Sequence, residues 1–514
     1  MVDQTICIHI FRRDYRLEDN TTLIEACKSH DIVLPIFIFT KTQIDKKINT
    51  YRSDNCVQFL CESLKDLDIQ LQNISDNKKH KSSLTIFYAD DKHNEYSILD
   101  TLIKTISNVK TISFNMDYTY YSKIRDDKIK KLCDTNYIQC LSLDDICINP
   151  IGSVVTSSGK PYSKFTPYWK ESASREIRKI VSNKYKNYYN NNTHDNIRSS
   201  LKKLNKYILS IEDIMKPNGL IMGTINTQLP ERGGRENGLK ILHNMKKWDD
   251  YNDDRDMLSY KTTHLSPFNK FGCVSIREVY WTMLKKLGKD GEFGLIRQLF
   301  WRDFFYNISY CYPKEVYKES ALNPKYRNIK WHHNKTSMDK FNKWCKGETG
   351  YPIVDACMRE LNTTGYMHNR GRLITANFLC RLLHIDWKLG EKYFASKLYD
   401  YDPAQNNFGW QVSGANSSGT TSRPLSQTIM NPWLQSAKHD TDALYIKLWC
   451  PELKNVKASH LHKWYDYYKN YELGSDSSSG SSNSNTTKVK YYPPIIDYTI
   501  EKEKNLKMYE KYLD

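Results

Sequence analysis

The runs Ile6-Cys-Ile-His-Ile-Phe11 and Ile32-Val-Leu-Pro-Ile-Phe-Ile-Phe39 decide the architecture of the first part of the chain. Each is short, β-branched and aromatic, the composition that packs best on a pleated surface. Neither alternates with polar residues, so both read as strands buried on two faces. Between them Asn20–Ser29 has helical character, with Asn20 or Thr21 as its cap. The alternation continues outward. Asp54–Gln72 places Val57, Phe59, Leu60, Leu64 and Leu67 at helical spacing, Leu84–Tyr88 reads as a strand, Ser97–Ile106 as a helix and Thr111–Asn115 as a strand. Such alternation predicts an α/β N-terminal domain with a doubly wound parallel sheet. Ligands of these sheets sit outside the carboxyl ends of the strands. No G-x-G-x-x-G is present, so the ordinary dinucleotide fingerprint is absent.

From about Asp144 the alternation stops. Residues 160–206 hold twelve Lys and Arg against three Asp and Glu, with the polar tract Asn187–Asn192 inside. This predicts a long basic connector, partly helical and wrapped on the surface. Beyond Tyr207 helical periodicity dominates, over Leu239–Trp248, Ser275–Leu287, Leu295–Tyr310, Met338–Cys345, Ile353–Leu361, Arg370–Leu383 and Leu389–Leu398. The second domain is therefore expected to be all-α. Residues 474–487 are a Ser-rich low-complexity stretch. After it, Tyr491-Tyr-Pro-Pro-Ile-Ile496 and a charged helix are expected to regain order. The expected layout is an α/β domain over 1–143, a connector over 144–206, a helical domain over 207–472, an insert over 473–489 and a helical tail over 490–514.

A chain of 514 residues exceeds one ordinary core and fits two domains. Its formal charge of +17 suits a polyanionic partner. Thirteen Cys are scattered without any C-x-x-C, and although Cys133, Cys140 and Cys147 recur every seven residues, no further pair completes a zinc set. Reduced cysteines in a cytosolic or nuclear compartment are expected. Ile6–Phe11 is too short for a signal peptide and is followed by Arg12, Arg13, Asp14 and Arg16. No apolar run approaches membrane-spanning length. The expectation is a soluble intracellular protein with no metal and no membrane partner, and a monomer.

The chemistry-bearing residues concentrate in three segments: Thr349-Gly-Tyr-Pro-Ile-Val-Asp355, Met367-His-Asn-Arg370, and Asp400-Tyr-Asp-Pro-Ala-Gln-Asn-Asn407-Phe-Gly-Trp410. Carboxylates, amides, guanidinia and tryptophans crowd together there, without a nucleophile-and-base pair. That inventory suits a large polar aromatic cofactor that performs the chemistry itself.

In their order these segments resemble the photolyase/cryptochrome family, closest to its class I-type cyclobutane pyrimidine dimer enzymes. The opening Phe11-Arg-Arg-Asp-Tyr-Arg-Leu-Glu-Asp-Asn20 resembles the family's first signature, and Pro161-Tyr-Ser-Lys-Phe-Thr-Pro167 its linker motif. Thr262-Thr-His-Leu-Ser-Pro267, Lys270-Phe-Gly-Cys273 with Ser275, Gln298-Leu-Phe-Trp-Arg-Asp-Phe-Phe305 and Met430-Asn-Pro-Trp433 are similar to further family motifs. The resemblance implies FAD in the helical domain, held by Tyr251, Thr262, Thr263, His264, Leu265, Ser266, Gln298, Arg302, Asn369, Arg372, Asp400, Asp402 and Asn406. In that reading Arg372 pairs with Asp400, Asp402 reaches the ribityl or ring edge, and Asn406 faces flavin N5. Trp410, Trp387 and Trp331 match the family's electron-transfer chain. The implied partner is UV-damaged DNA, from which a pyrimidine dimer swings out. Trp301 would be its stacking platform, Asn369 with Gln298 would meet the bases, and Arg255 and Arg370 would lie at the phosphate or pocket rim. The implied reaction is that of a carbon–carbon lyase: excited reduced FAD lends one electron, the cyclobutane ring splits, and the electron returns. An antenna chromophore of folate or deazaflavin type is implied in the N-terminal domain, but no residue set near Asn115–Arg125 selects one.

Two alternatives remain: a (6-4) photolyase, or a cryptochrome light sensor that does not repair. Enzymes for the (6-4) product carry a histidine pair where this chain has His368-Asn369, which favours the cyclobutane dimer. Gln298, where dimer enzymes usually carry Glu, and Val412, where they often carry Trp, point the other way. Tyr366 is a conservative departure.

Overall fold

The computed structural model describes residues 4–74, 81–288, 294–313, 322–414, 428–472 and 489–510. The Ser-rich insert expected over 473–489 lies almost wholly outside them. By packing, the chain divides into two compact units. The first contains Met1–Asp249, Thr263–Lys318 and Tyr399–Gln405; the second contains Asp250–Thr262, Glu319–Leu398 and Asn406–Asp514.

The first unit is built on a six-stranded sheet of order β5-β4-β1-β2-β3-β6. Its strands are β1 Ile6–Ile10, β2 Ile32–Thr40, β3 Thr85–Ala89, β4 Val109–Asn115, β5 Gln139–Leu143 and β6 Ile208–Leu209. The first five run parallel, with Ile8 set between Leu34 and Ile112, all three fully buried. Each such side chain contributes about 1.5–3 kcal/mol of burial. Helices Thr21–Ser29, Asp54–Ile74, Glu95–Thr105 and Tyr120–Thr135 connect them. Asn20 is the first helix's cap, accepting from the Leu23 amide. The parallel sheet was legible in sequence, but Tyr120–Thr135 and β5 were not: half of that helix is charged, and none of β5 is fully buried. Nor is the sheet purely parallel. Ile208–Leu209 pairs antiparallel with β3, two residues too short to leave a periodic trace.

The basic connector is more deeply seated than a surface wrap. Tyr188 and Tyr189 are buried, and the Tyr189 amide donates to Val33 O while the Val33 amide donates to Asn187 O. The Phe11–Asn20 signature is a lock. The buried Arg16 and Arg277 bind the buried Asp145, at 2.5 and 2.7 Å, and Arg277 also binds Asp19 at 2.7 Å.

The second unit is helical, with Lys335–Lys346, Pro352–Thr364, Asn369–Asn377, Trp387–Lys397, Pro432–His439 and Tyr498–Glu510 among its helices. The run expected as one helix over Arg370–Leu383 changes to a π-helix at Phe378–Leu382, a feature frequent near functional sites. Among the described residues no helix is long and apolar enough to cross a membrane.

Candidate functional site

The first unit carries part of the expected cofactor and substrate set. Thr263, His264, Leu265 and Ser266 lead into the short helix Ser266–Phe271, and His264 adopts φ 51°. A non-glycine residue in that left-handed region is uncommon and clusters at functional sites. The Thr263 hydroxyl accepts from the Leu265 amide, and the exposed Ser266 hydroxyl donates to Asp400 at 2.7 Å. Asp402 is more heavily engaged. One oxygen accepts from Arg13 at 2.5 Å and from the Tyr306 hydroxyl at 2.8 Å, and the other caps Ala404 and Gln405 at the start of the Pro403–Gly414 helix. Arg302 donates to Ile146 O at 3.0 Å and to Asp303 at 2.8 Å. Burial pushes the Asp303 carboxyl up to about 6 even with that guanidinium beside it. Gln298 makes a long contact to Gly294 O, 3.4 Å. Trp301 is partly exposed, and Phe165 of the linker motif is stacked on it at 3.6 Å.

The second unit carries the rest. Thr262 and the Tyr366 hydroxyl are 2.9 Å apart, and Tyr251, at the start of a short helix, has its ring 6.5 Å from that of Tyr260. His368 caps the Asn369–Asn377 helix by accepting from the Arg370 amide, which leaves Asn369 exposed at its first position. Arg370 pairs with Asp256 at 2.7 Å, Arg372 donates to Met367 O at 2.8 Å, and Arg255 is exposed. Asn406 is buried, and its amide nitrogen donates twice to Glu391: to the backbone oxygen at 3.0 Å and to the carboxylate at 3.2 Å. Held by its nitrogen, the amide keeps its carbonyl oxygen for another partner. Sequence reading did not find Glu391; only its position fifteen residues upstream, facing Asn406 from another helix, makes it significant.

Of the three expected electron-transfer tryptophans, Trp410 and Trp387 are buried and Trp331 is partly exposed. The ring neighbours of Trp410 are Phe394 at 5.0 Å and Trp344 at 6.1 Å, and that of Trp331 is Tyr509 at 6.5 Å. Asp355, prominent in the sequence, serves structure instead. It accepts from the Thr349 and Gly350 amides, the Thr349 hydroxyl and the Tyr491 hydroxyl, and so pins the segment that begins at Val489.

At the carboxyl ends of β1, β2 and β4 the first unit encloses a cavity of about 300 Å³. Aromatic Phe37, Phe39 and Tyr51 line it together with Arg12, Arg52 and Arg125. All three guanidinia are at least nine-tenths buried, and each keeps one nitrogen without a hydrogen-bond partner: Arg12 Nη2, Arg52 Nε and Arg125 Nη2. Arg12 and Arg125 share a single carboxylate, Asp126. Burial and the Arg125 charge lower the Arg12 pKa to about 10. Glu95 and Asp117 line the same cavity, so the guanidinia are partly neutralised while one buried nitrogen of each stays without a hydrogen bond. The sequence showed no such set because its members come from separate strand ends.

The model of the DNA photolyase domain matches residues 7–183, and that of the FAD binding domain of DNA photolyase matches residues 295–511. The chain is 32% identical to a deoxyribodipyrimidine photo-lyase of Buchnera aphidicola subsp. Baizongia pistaciae, over 97% of each chain. It is 29% identical to the enzyme of that name from Vibrio cholerae, over 97% of this chain and 98% of the relative. Among solved structures it is similar to an archaeal photolyase from Sulfolobus tokodaii containing two FAD molecules, with 32% identity, a TM-score of 0.75 and coverage of 98% and 100%.

Proposed function

The chain belongs to the DNA photolyase family, and on that premise we propose that it is a light-driven lyase that splits cyclobutane pyrimidine dimers in DNA. The observation that carries this reading is similarity to deoxyribodipyrimidine photo-lyases along 97% of the chain. The donor set fits FAD: hydroxyls and backbone amides at Thr262–Ser266 suit a diphosphate, and a neutral amide at Asn406 suits a flavin ring edge. FAD, when bound and reduced, supplies the light-driven electron that the fused bases take up and give back.

The protein's own share is binding and orientation. Thr262, Thr263, His264, Leu265 and Ser266 serve the diphosphate, and Arg302, Arg372, Asp400 and Asp402 complete the polar surroundings of the cofactor. Glu391 fixes which atom Asn406 presents. Trp301 offers a flat apolar face to the extruded bases, while Asn369 offers an amide that both donates and accepts. Arg255 and Arg370 serve the phosphates, and the chain's charge adds sequence-independent attraction. Because the electron returns, no side chain has to act as general acid.

The cavity of the α/β unit is read as the place of a second chromophore. Its unmet guanidinium nitrogens favour one with an anionic tail, such as a phosphate or a folate carboxylate, over a neutral deazaflavin. The decisive assay for the main reading is illumination of purified protein with an oligonucleotide carrying one defined lesion. Restoration of the cyclobutane dimer and not of the (6-4) product is expected. The reverse selectivity would establish the (6-4) alternative, and repair of neither would favour a light sensor.

A further inference from the structure

Phe165 lies flat against the Trp301 indole, with ring centroids 3.6 Å apart and planes 8° from parallel. Phe165 is buried at the first position of the Phe165–Ala173 helix, and Trp301 projects from Leu295–Cys311. Phe304 and Phe305 meet the indole at 5.9 and 5.7 Å, inclined at 80° and 45°. Arg297, one turn before Trp301, lies 5.3 Å over Phe165 and 4.7 Å over Trp169. The stack therefore ties the linker motif to the helix that bears the platform. One face of the indole is taken, and a base must use the other.

We propose that Phe165 is a positioning residue for lesion recognition, presetting the plane of Trp301 so that a flipped pyrimidine pair meets an already ordered platform. This rests on the assignment of Trp301 to the dimer. The physical ground is preorganisation. A partly exposed indole on a helix loses rotamer freedom when a base stacks on it, and an indole held by a buried ring has lost that freedom beforehand. With centroids one ring thickness apart, the two rings overlap face to face and contact over their whole area.

The test uses the flavin-loaded full chain and measures its affinity for one oligonucleotide with a single cyclobutane dimer and for the same oligonucleotide without it. Phe165→Ala is expected to weaken dimer binding about tenfold, with undamaged DNA bound within about twofold of wild type and turnover at saturating DNA retained. Phe165→Tyr should restore binding. Phe165→Leu, which keeps buried volume but lacks a flat face, should be weakened, and it is the readout if the alanine variant does not fold. In a Trp301→Ala background, Phe165→Ala or Phe165→Leu should cost nothing further, because the platform is already gone. Unchanged dimer affinity in the folded Phe165 variants would overturn the proposal, as would an equal loss on undamaged DNA. If Trp301→Ala alone binds the dimer normally, the assignment of Trp301 fails, and Phe165 positioning fails with it. If Trp301→Ala is weakened while the Phe165 variants are not, only the positioning role is lost.

Discussion

Gly390 shows how one missing atom can place a large ring. A Cβ built there would lie 2.2 Å from Trp410 Cη2 and 2.4 Å from Cζ3, so the indole rests where a side chain would otherwise stand. Gly390→Ala must displace Trp410 or bend the Trp387–Lys397 helix, at a cost of about 1–3 kcal/mol. The expected outcome is a lower Tm together with slower photoreduction of oxidised flavin; an unshifted Tm would mean the ring moves freely. Arg12 makes the opposite case, a residue whose bonding is incomplete. Arg12→Ala removes one unmet donor and one of two cations that share Asp126. The purified variant should retain its FAD but lose a phosphate-bearing second chromophore, measured by release on denaturation and by comparing FMN with riboflavin as added ligands. Equal retention of both by the wild type would count against an anionic tail. At this scale the sequence announced residue types well and partners poorly. Asn20 was readable as a cap because its partner is three residues away, whereas Glu391, Phe165 and Arg12 act on groups that no local pattern connects to them.

At the scale of elements, the tail and the motif Thr349–Asp355 form one device. Gly350, at φ 72°, has Pro493 O where a Cβ would sit, 2.1 Å away, and Asp355 gathers four donors, one of them the Tyr491 hydroxyl. Burial raises the Asp355 pKa against those hydrogen bonds, so each donor matters. Tyr491→Phe removes one without altering shape and should cost about 1–3 kcal/mol, seen as a lower denaturant midpoint with unchanged slope. The Tyr498–Glu510 helix follows, and its Tyr509 brings a buried ring to Trp331. Trp331→Phe should slow flavin photoreduction while sparing repair by enzyme reduced beforehand; normal photoreduction would remove Trp331 from the electron path. Helix and strand existence was largely legible because apolar periodicity is a short-range property. What escaped were elements lacking that contrast, the charged Tyr120–Thr135 helix and the two-residue β6.

At the scale of the whole molecule, stability depends on the buried lock of Arg16, Asp19, Asp145 and Arg277. Despite burial, which alone would raise it, the two guanidinia hold the Asp145 carboxyl well below the usual range. A depressed folded pKa means the contribution is present above the unfolded value, about 3.9, and is lost as pH falls below it. Asp145→Asn should therefore cost about 3–5 kcal/mol near neutrality, and its deficit against wild type should narrow in acid. A constant deficit would show that charge is not the cause. The sequence by itself determined the α/β and helical halves, the family motifs in order and the basic character, since these follow from local propensity and composition. Only the tertiary structure decided which guanidinia face a cavity with a nitrogen left unbonded, which atom Asn406 withholds, and that a linker phenylalanine backs Trp301. Those relations join positions up to 136 residues apart, and burial, rather than any pattern along the chain, brings them into contact.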